Sequence, residues 1–86
     1  MRIDKFLKIS RIIKRRSVAA DACDNGRIEI NGIIAKPSKT IKIGDVVTVT
    51  FGDNSTTFRV LSIDEHQTKN SANEMYEIIA INGENK

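Results

Sequence analysis

This 86-residue chain has little of several residue types that identify particular classes of protein. Its single cysteine, Cys23, excludes an internal disulfide and a cysteine-based metal cluster. Its apolar runs are only a few residues long, far short of a membrane-spanning helix, and the N-terminus lacks the apolar core of a signal peptide. We therefore expect a protein of the cytoplasm.

Groups that carry catalysis are also scarce. The single histidine, His66, stands in a polar stretch, and the neighbouring pair Asp64–Glu65 has no evident metal-binding partner. The sequence has no glycine-rich phosphate loop, and Cys23 fits the role of a small buried hydrophobe better than that of a nucleophile. We predict no enzymatic activity, no metal ion and no cofactor.

Positive charge is plentiful but unevenly distributed. The formal net charge is +3. Residues 1–16 hold seven Lys and Arg side chains against one Asp, residues 17–50 hold four of each sign, and residues 51–86 hold three basic and six acidic side chains. A basic segment (residues 1–16) on a neutral to acidic remainder indicates binding to nucleic acid or to an anionic membrane.

The basic segment begins with an amphipathic pattern. A helix over residues 2–11 places basic and apolar side chains on opposite sides, with Arg2, Lys5, Lys8 and Arg11 on one side and Ile3, Phe6 and Leu7 on the other. The pattern fails further on, so we predict a break near Ser10 to Ile13 that turns Ile12 and Ile13 inward. The apolar face is too small for a membrane-surface helix, and the chain has no tryptophan to anchor one, so nucleic acid is the preferred ligand.

A second helix is predicted from Ser17, a residue type favoured at the N-cap, to a stop at Asn25–Gly26. Its apolar stripe consists of small side chains, namely Val18, Ala19, Ala22 and Cys23. Three cations come just before its N-terminus, where an anion would be stabilised: Lys14, Arg15 and Arg16. A helix this short and apolar cannot read bases as a helix-turn-helix protein does, so structured RNA is favoured over sequence-specific DNA.

Residues 27–81 show the patterns of a small sheet. Strands are predicted at Arg27–Ile30, Ile33–Lys36, Val46–Phe51, Thr56–Ile63 and Met75–Ile81, with turns at Asn31–Gly32, Gly44–Asp45 and Gly52–Asn54. Residues 64–73 are predicted to form a loop and residues 82–86 a tail. The aromatic side chains are expected in the core rather than stacked on bases, namely Phe6, Phe51, Phe58 and Tyr76. The fold class is α+β, with two N-terminal helices packed on a small, mostly antiparallel sheet of about five strands.

The spaced motifs of the first half resemble those of the S4 RNA-binding domain family, whose fold is also called the αL RNA-binding motif. The chain has RIDKFL at its start, then a run of arginines, a helix ending in GRIEING, and KPS followed by GD. One departure is Ile43, where the family often has proline. The resemblance implies a single S4-type domain over residues 1–86, with a core motif at 1–50 and a strand extension at 51–81. The candidate RNA-binding residues are Arg2, Lys5, Lys8, Ser10, Arg11, Lys14, Arg15, Arg16, Lys36 and Lys39.

Within the family, the basic start is most similar to the RqcP group of ribosome quality-control factors, which is related to the ribosome-associated heat-shock protein. That resemblance implies binding to rRNA and to peptidyl-tRNA on an obstructed large ribosomal subunit. It also implies support of a partner, RqcH, which extends the nascent chain with alanine. We expect a monomer. The sequence leaves one alternative open, an RNA-binding subunit that delivers a separate RNA-modifying enzyme to structured RNA.

Overall fold

The computed structural model describes residues 1–64 and 72–82 of the chain. Two helices precede the sheet, α1 at Ile3–Ile9 and α2 at Arg16–Asp24. Five strands follow within the described ranges: β1 Ile28–Ile30, β2 Ile33–Ile34, β3 Val46–Phe51, β4 Asn54–Val60 and β5 Tyr76–Asn82, with a 3-10 turn at Ala72–Met75 before β5. They form one sheet in the order β2-β1-β3-β4-β5, and every neighbouring pair is antiparallel. The predicted α+β class is confirmed.

α1 is shorter than the predicted helix over residues 2–11. Arg2 is extended rather than helical and holds the N-cap position. At the other end Ser10 closes the helix, and Arg11 has a φ of 64°, a left-handed conformation that an α-helix cannot include. The apolar face is fully buried, as the amphipathic pattern indicates: Ile3, Phe6 and Leu7.

The predicted break between the helices is present, and the chain turns inward there. The amide of Ile13 donates to the carbonyl of Leu7 at 3.0 Å, which folds this segment back over α1. Ile13 is buried, and Ile12 packs against the core from a partly buried position. Both isoleucines therefore leave the basic face of α1, as predicted.

α2 begins one residue earlier than predicted and is capped differently. Arg15 holds the N-cap position without a side-chain hydrogen bond, and Ser17 lies in the first turn, so the prediction of Ser17 as the N-cap is wrong. The first residue of the helix, Arg16, reaches Asp4 of α1 at 3.4 Å. Neither helix in the described ranges is long and apolar enough to cross a bilayer.

The buried stripe of α2 is narrower than predicted. Its members are Ala19, Ala22 and Cys23. Val18 is exposed instead, because it lies about 100° round the helix from Ala19 and so at the edge of the stripe. The helix ends as predicted at Asn25, followed by Gly26 with a φ of 72°.

The Asn31–Gly32 turn joins β1 and β2 as predicted. Both residues have positive φ, 54° and 84°, the combination that a two-residue type I′ turn requires and that favours Asn followed by Gly. β2 has two residues rather than the predicted four. After one further hydrogen bond, from the Ala35 amide to the Ile28 carbonyl, the chain turns toward the N-terminus.

The second hairpin has a tighter turn than predicted. β3 occupies the predicted residues, but β4 begins before Thr56 because Phe51 and Asn54 already pair in the ladder. β4 ends at Val60 rather than Ile63, since Val60 pairs with Tyr76, the first residue of β5. Beyond this pair the amides of Leu61 and Ser62 donate to the Met75 carbonyl, at 2.7 and 3.2 Å, so they bond the 3-10 turn rather than a strand.

The end of the chain differs from the predicted loop and tail. Residues 72–75 form the 3-10 turn, although the sequence predicts a loop through residue 73. β5 includes Asn82, the first residue of the predicted tail. The rest of that loop, with His66, and residues 83–86 lie outside the described residues.

Three of the four aromatic side chains lie where the sequence predicts. Phe6 of α1 stacks on Phe58 of β4 with ring centroids 6.0 Å apart, and Phe58 meets the edge of Tyr76 at 5.5 Å. This cluster packs α1 against the sheet. Phe51 is 44% exposed, so its predicted core position is wrong. It stands at the turn end of β3, where less of the described chain covers the sheet.

Candidate nucleic-acid interface

The start of the basic segment lies against a second basic stretch of the chain. The amide of Ile3 donates to the carbonyl of Lys39 at 2.8 Å, and Arg2 faces Thr40 in a short antiparallel bridge. A turn closed by the Lys39 amide and the Lys36 carbonyl, at 3.0 Å, precedes this contact. The pairing brings two lysines that are distant in sequence to the N-terminal end of α1.

A buried carboxylate, Asp4, lies at the junction of the two helices. Arg2 donates to both of its oxygens, from Nε to Oδ1 at 3.2 Å and from Nη2 to Oδ2 at 3.1 Å. Arg16 donates from Nη2 to Oδ1 at 3.4 Å. We call these three residues the arginine clamp. Asp4 also lies in the first turn of α1, where a negative charge is favoured.

The arginine clamp joins two guanidinium groups that would otherwise repel each other. The Asp4 side chain is only 4% exposed, whereas the Arg2 and Arg16 side chains remain 51% and 46% exposed. A guanidinium has five N–H donors, and Asp4 engages only some of those on each arginine. Both arginines therefore keep donors that a phosphate group on the protein surface could accept.

Three further cations of the basic segment border a notch of about 110 Å³. Its lining consists of Lys8, Ile9, Arg11 and Lys14. The left-handed backbone of Arg11 ends α1 at this point and reverses the chain, so Lys14 returns to the side of Lys8. Three cations around one small notch provide a second place where an anion is favoured.

The basic surface continues from the arginine clamp toward the open edge of the sheet. Lys36 and Lys39 border an open depression of about 450 Å³ beside β2. Two exposed apolar side chains, Ile33 and Ile34, line the same depression. This part of the surface therefore combines positive charge with exposed apolar area.

The remaining candidate residues differ in their exposure. Arg15 is exposed and Lys5 is partly buried. Ser10 is almost completely buried, and its hydroxyl donates to the Leu7 carbonyl at 3.3 Å. Ser10 therefore closes α1 rather than facing a ligand in this structure, and we leave it out of the proposed interface.

The contribution of Asp4 is the feature that the sequence analysis missed. A signal for it exists, because Asp4 is the only acidic residue among the first sixteen. A lone carboxylate among seven cations could form an ion pair with several of them, and charge spacing along the chain does not show which pairs form. Only the packing of α2 on α1 shows that Arg2 and Arg16 are the two it binds.

Cys23 of α2 lies close enough to this site to be affected by it. Burial raises the pKa of the Cys23 thiol from 9.0 to about 11, and the carboxylates of Asp4 and Asp24 add to the rise. The thiol therefore stays protonated at neutral pH, which does not favour nucleophilic chemistry. This environment agrees with the interpretation of Cys23 as a small buried hydrophobe.

A family model described as the S4 domain matches residues 1–47. The matched range includes the arginine clamp, the notch and both lysines beside α1. The chain belongs to the S4 domain family.

Individual relatives narrow this assignment. The chain is 49% identical to an RQC P-site tRNA stabilizing factor of Streptococcus pneumoniae over 93% of its own length and 91% of that protein. It is 48% identical to a factor of the same name from Bacillus subtilis, over 92% of each chain. The trimeric structure of Vibrio cholerae heat shock protein 15 superposes with a TM-score of 0.84 at 32% identity, covering 93% of this chain and 82% of that one. The resemblance to ribosome quality-control factors and to the heat-shock protein is confirmed.

Proposed function

We propose that this protein is a non-catalytic RNA-binding factor that stabilises tRNA in the P site of obstructed large ribosomal subunits. The observation that carries the proposal is the exposed basic surface formed by the arginine clamp, the notch and Lys36 and Lys39, all within the S4 match. The names of the two relatives, which align with more than nine-tenths of the chain, support the tRNA role.

The shape of this surface favours recognition of the RNA backbone. The cations lie on α1, on the turn after it and on the segment that pairs with its start, whereas α2 buries its small side chains against the fold. Guanidinium groups bind phosphate bidentately, and phosphate contacts set position without reading bases. The protein would therefore recognise the arrangement of folded rRNA and tRNA strands rather than a base sequence.

We further propose that the protein supports RqcH-dependent addition of alanine to the nascent chain by holding peptidyl-tRNA in place. It would act in the cytoplasm, as a monomer, with one copy bound to each obstructed subunit. The related heat shock protein 15 structure is described as trimeric. Sedimentation of the free protein over a range of concentrations therefore tests the monomer separately from the function.

Co-sedimentation with ribosomal particles tests the proposed function. Tagged protein should migrate with large subunits that retain peptidyl-tRNA and should leave them after puromycin releases the peptide. The affinity should fall with salt, with a slope in log–log form of roughly −0.7 to −0.9 for each phosphate neutralised. A tagged protein that instead purifies in a stable complex with an RNA-modifying enzyme, away from large subunits, would contradict the proposal.

A further inference from the structure

We propose that Arg2 and Arg16 form one phosphate-binding site and that Asp4, without touching RNA, is the residue that positions both arginines. This inference rests on the proposed function and deepens it, because it identifies how the interface is organised in the free protein. The ligand is the phosphate backbone of a single RNA strand. The positioning role belongs to a carboxylate, a group that by its charge alone would repel that ligand.

The hydrogen bonds of the arginine clamp leave the two arginines little freedom relative to each other. Nε of Arg2 and Nη2 of Arg16 donate to the same oxygen, Oδ1 of Asp4. The two arginines come from different elements, one at the N-cap of α1 and the other at the first residue of α2. Two guanidinium groups that share one carboxylate oxygen are within reach of one phosphate or of two neighbouring phosphates.

The burial of Asp4 explains why its charge does not oppose binding. The carboxylate is 4% exposed and lies beneath two arginines that are about half exposed. Phosphate would therefore meet the outer edges of the guanidinium groups rather than the carboxylate. Because the arginines are already ordered, they lose less side-chain entropy on binding than free arginines would. That loss would otherwise reduce the affinity for RNA.

Arg15 provides a matched control for this arrangement. It adjoins Arg16, it is exposed and it belongs to the same basic segment. Within the described part of the chain it has no ion pair with Asp4, which binds Arg2 and Arg16. A variant of Arg15 therefore changes the local charge as a variant of Arg16 does, but it leaves the arginine clamp complete.

The substitution Asp4→Asn separates positioning from simple electrostatics, because the two predict opposite signs. The variant removes a negative charge close to the RNA, so charge alone predicts tighter binding. Loss of the charged acceptor frees the two arginines, so positioning predicts weaker binding, by roughly threefold to tenfold. The measurement is the affinity of the full-length protein for large subunits that carry peptidyl-tRNA, at fixed salt.

A double-mutant cycle distinguishes positioning from a general folding defect. Asp4→Asn should weaken binding in the parent and equally in an Arg15→Gln background, and it should have almost no effect when Arg2→Gln and Arg16→Gln are already present. A folding defect would lower affinity in every background. Such a uniform loss would overturn the inference.

The outcomes also separate this inference from the proposed function. If the double variant Arg2→Gln, Arg16→Gln binds as the parent does, the proposed interface itself is wrong. If that variant binds weakly but Asp4→Asn binds as tightly as the parent or more tightly, the interface stands and the positioning role of Asp4 is wrong.

If Asp4→Asn does not fold, Arg16→Lys and Arg15→Lys replace it, since lysine keeps the charge but loses the planar fork. Weaker binding from Arg16→Lys alone supports the inference, and equal effects of the two overturn it.

Discussion

At the scale of single residues, Arg11 shows how one backbone conformation shapes the proposed interface. Its φ of 64° lies in the left-handed region. This conformation costs an ordinary L-residue roughly 1–2 kcal/mol. The same residue ends α1 and contributes to the notch with Lys8 and Lys14. Strained residues of this kind are concentrated at functional sites, and this supports the place of Arg11 in the proposed interface.

The first prediction concerns this strain. Arg11→Gly should raise the free energy of unfolding by about 0.5–1 kcal/mol, because glycine adopts the left-handed backbone without strain. The same variant should weaken binding to large subunits, because the notch loses a cation. Urea denaturation and a binding titration measure the two effects. Arg11→Lys is the control and should keep both the strain and most of the affinity. If Arg11→Gly binds as the parent does, Arg11 is not part of the interface.

The second prediction concerns Cys23. Its pKa is raised to about 11 in the folded protein, so the unfolded chain releases the thiol proton first as pH rises. The free energy of unfolding should therefore fall between about pH 9 and about pH 11, and this contribution should be constant below that window. Other groups titrate in the same window, so Cys23→Ala is needed as a reference. Urea denaturation at both ends of the window should show a larger decrease for the parent than for Cys23→Ala, and equal decreases would contradict the assignment.

At the scale of elements, the fold depends on side chains that connect short pieces. α1 has seven residues and β2 has two, and neither would persist alone. Asn31 connects the β1–β2 turn to the start of β3, since its Nδ2 donates to Oδ1 of Asp45 at 3.2 Å and its Oδ1 accepts from the Val46 amide at 2.9 Å. This link holds the hairpin whose far strand leads to Lys36 and Lys39.

The third prediction separates the two contributions of Asn31. Asn31→Ala should lower the free energy of unfolding by about 2 kcal/mol, because alanine loses both hydrogen bonds and tolerates the left-handed backbone poorly. Asn31→Gly should lower it by only about 1 kcal/mol, since glycine keeps the backbone and loses the hydrogen bonds alone. Chemical denaturation measures both values. Equal stability of the two variants would show that the positive φ of Asn31 does not matter.

The types of the helices and strands could be predicted from the sequence, but several of their ends could not. Helical and strand periodicities reflect which faces are buried, and the Asn–Gly turn has a strong local preference, so α1 and the first hairpin follow from local patterns. The end of β4 depends on where β5 begins, and Arg15 takes the N-cap of α2 without the side-chain hydrogen bond that a capping residue type would predict. The exposure of Phe51 likewise depends on how far the rest of the chain covers the sheet.

In the candidate site, too, some features follow from local sequence and others arise only from tertiary contacts. A high density of charge in residues 1–16 is visible in the sequence, so its cations could be proposed directly. The proximity of Lys39 to Arg2 could not, because it arises from backbone pairing between distant segments. Ser10 is a candidate on the resemblance, yet it is buried at the C-cap of α1. Local sequence therefore identifies the charges, and tertiary packing decides which of them share a surface.

At the scale of the whole molecule, charge is separated between two regions of the fold. The basic surface includes α1, the start of α2 and the segment that pairs with the N-terminus. On the sheet, by contrast, Arg59 of β4 pairs with Glu77 of β5 at 3.0 Å. An exposed pair of this kind contributes little to stability and presents almost no net charge. RNA should therefore approach the helices, and the β4–β5 part of the sheet should face away from it.

A comparison of Arg16→Ala with Arg59→Ala tests the central claim most directly. Each variant removes one positive charge from an ion-paired side chain that is 46% exposed, although the partner of Arg16, Asp4, is 4% exposed and that of Arg59, Glu77, is 55% exposed. Circular dichroism checks that both fold, and the affinity for large subunits carrying peptidyl-tRNA is then measured at one salt concentration. We predict that Arg16→Ala weakens binding by at least roughly tenfold, because charge-assisted phosphate contacts are strong, and that Arg59→Ala changes it by less than roughly twofold. Equal losses from the two variants would show that binding follows overall charge, and that the surface proposed here is not the interface.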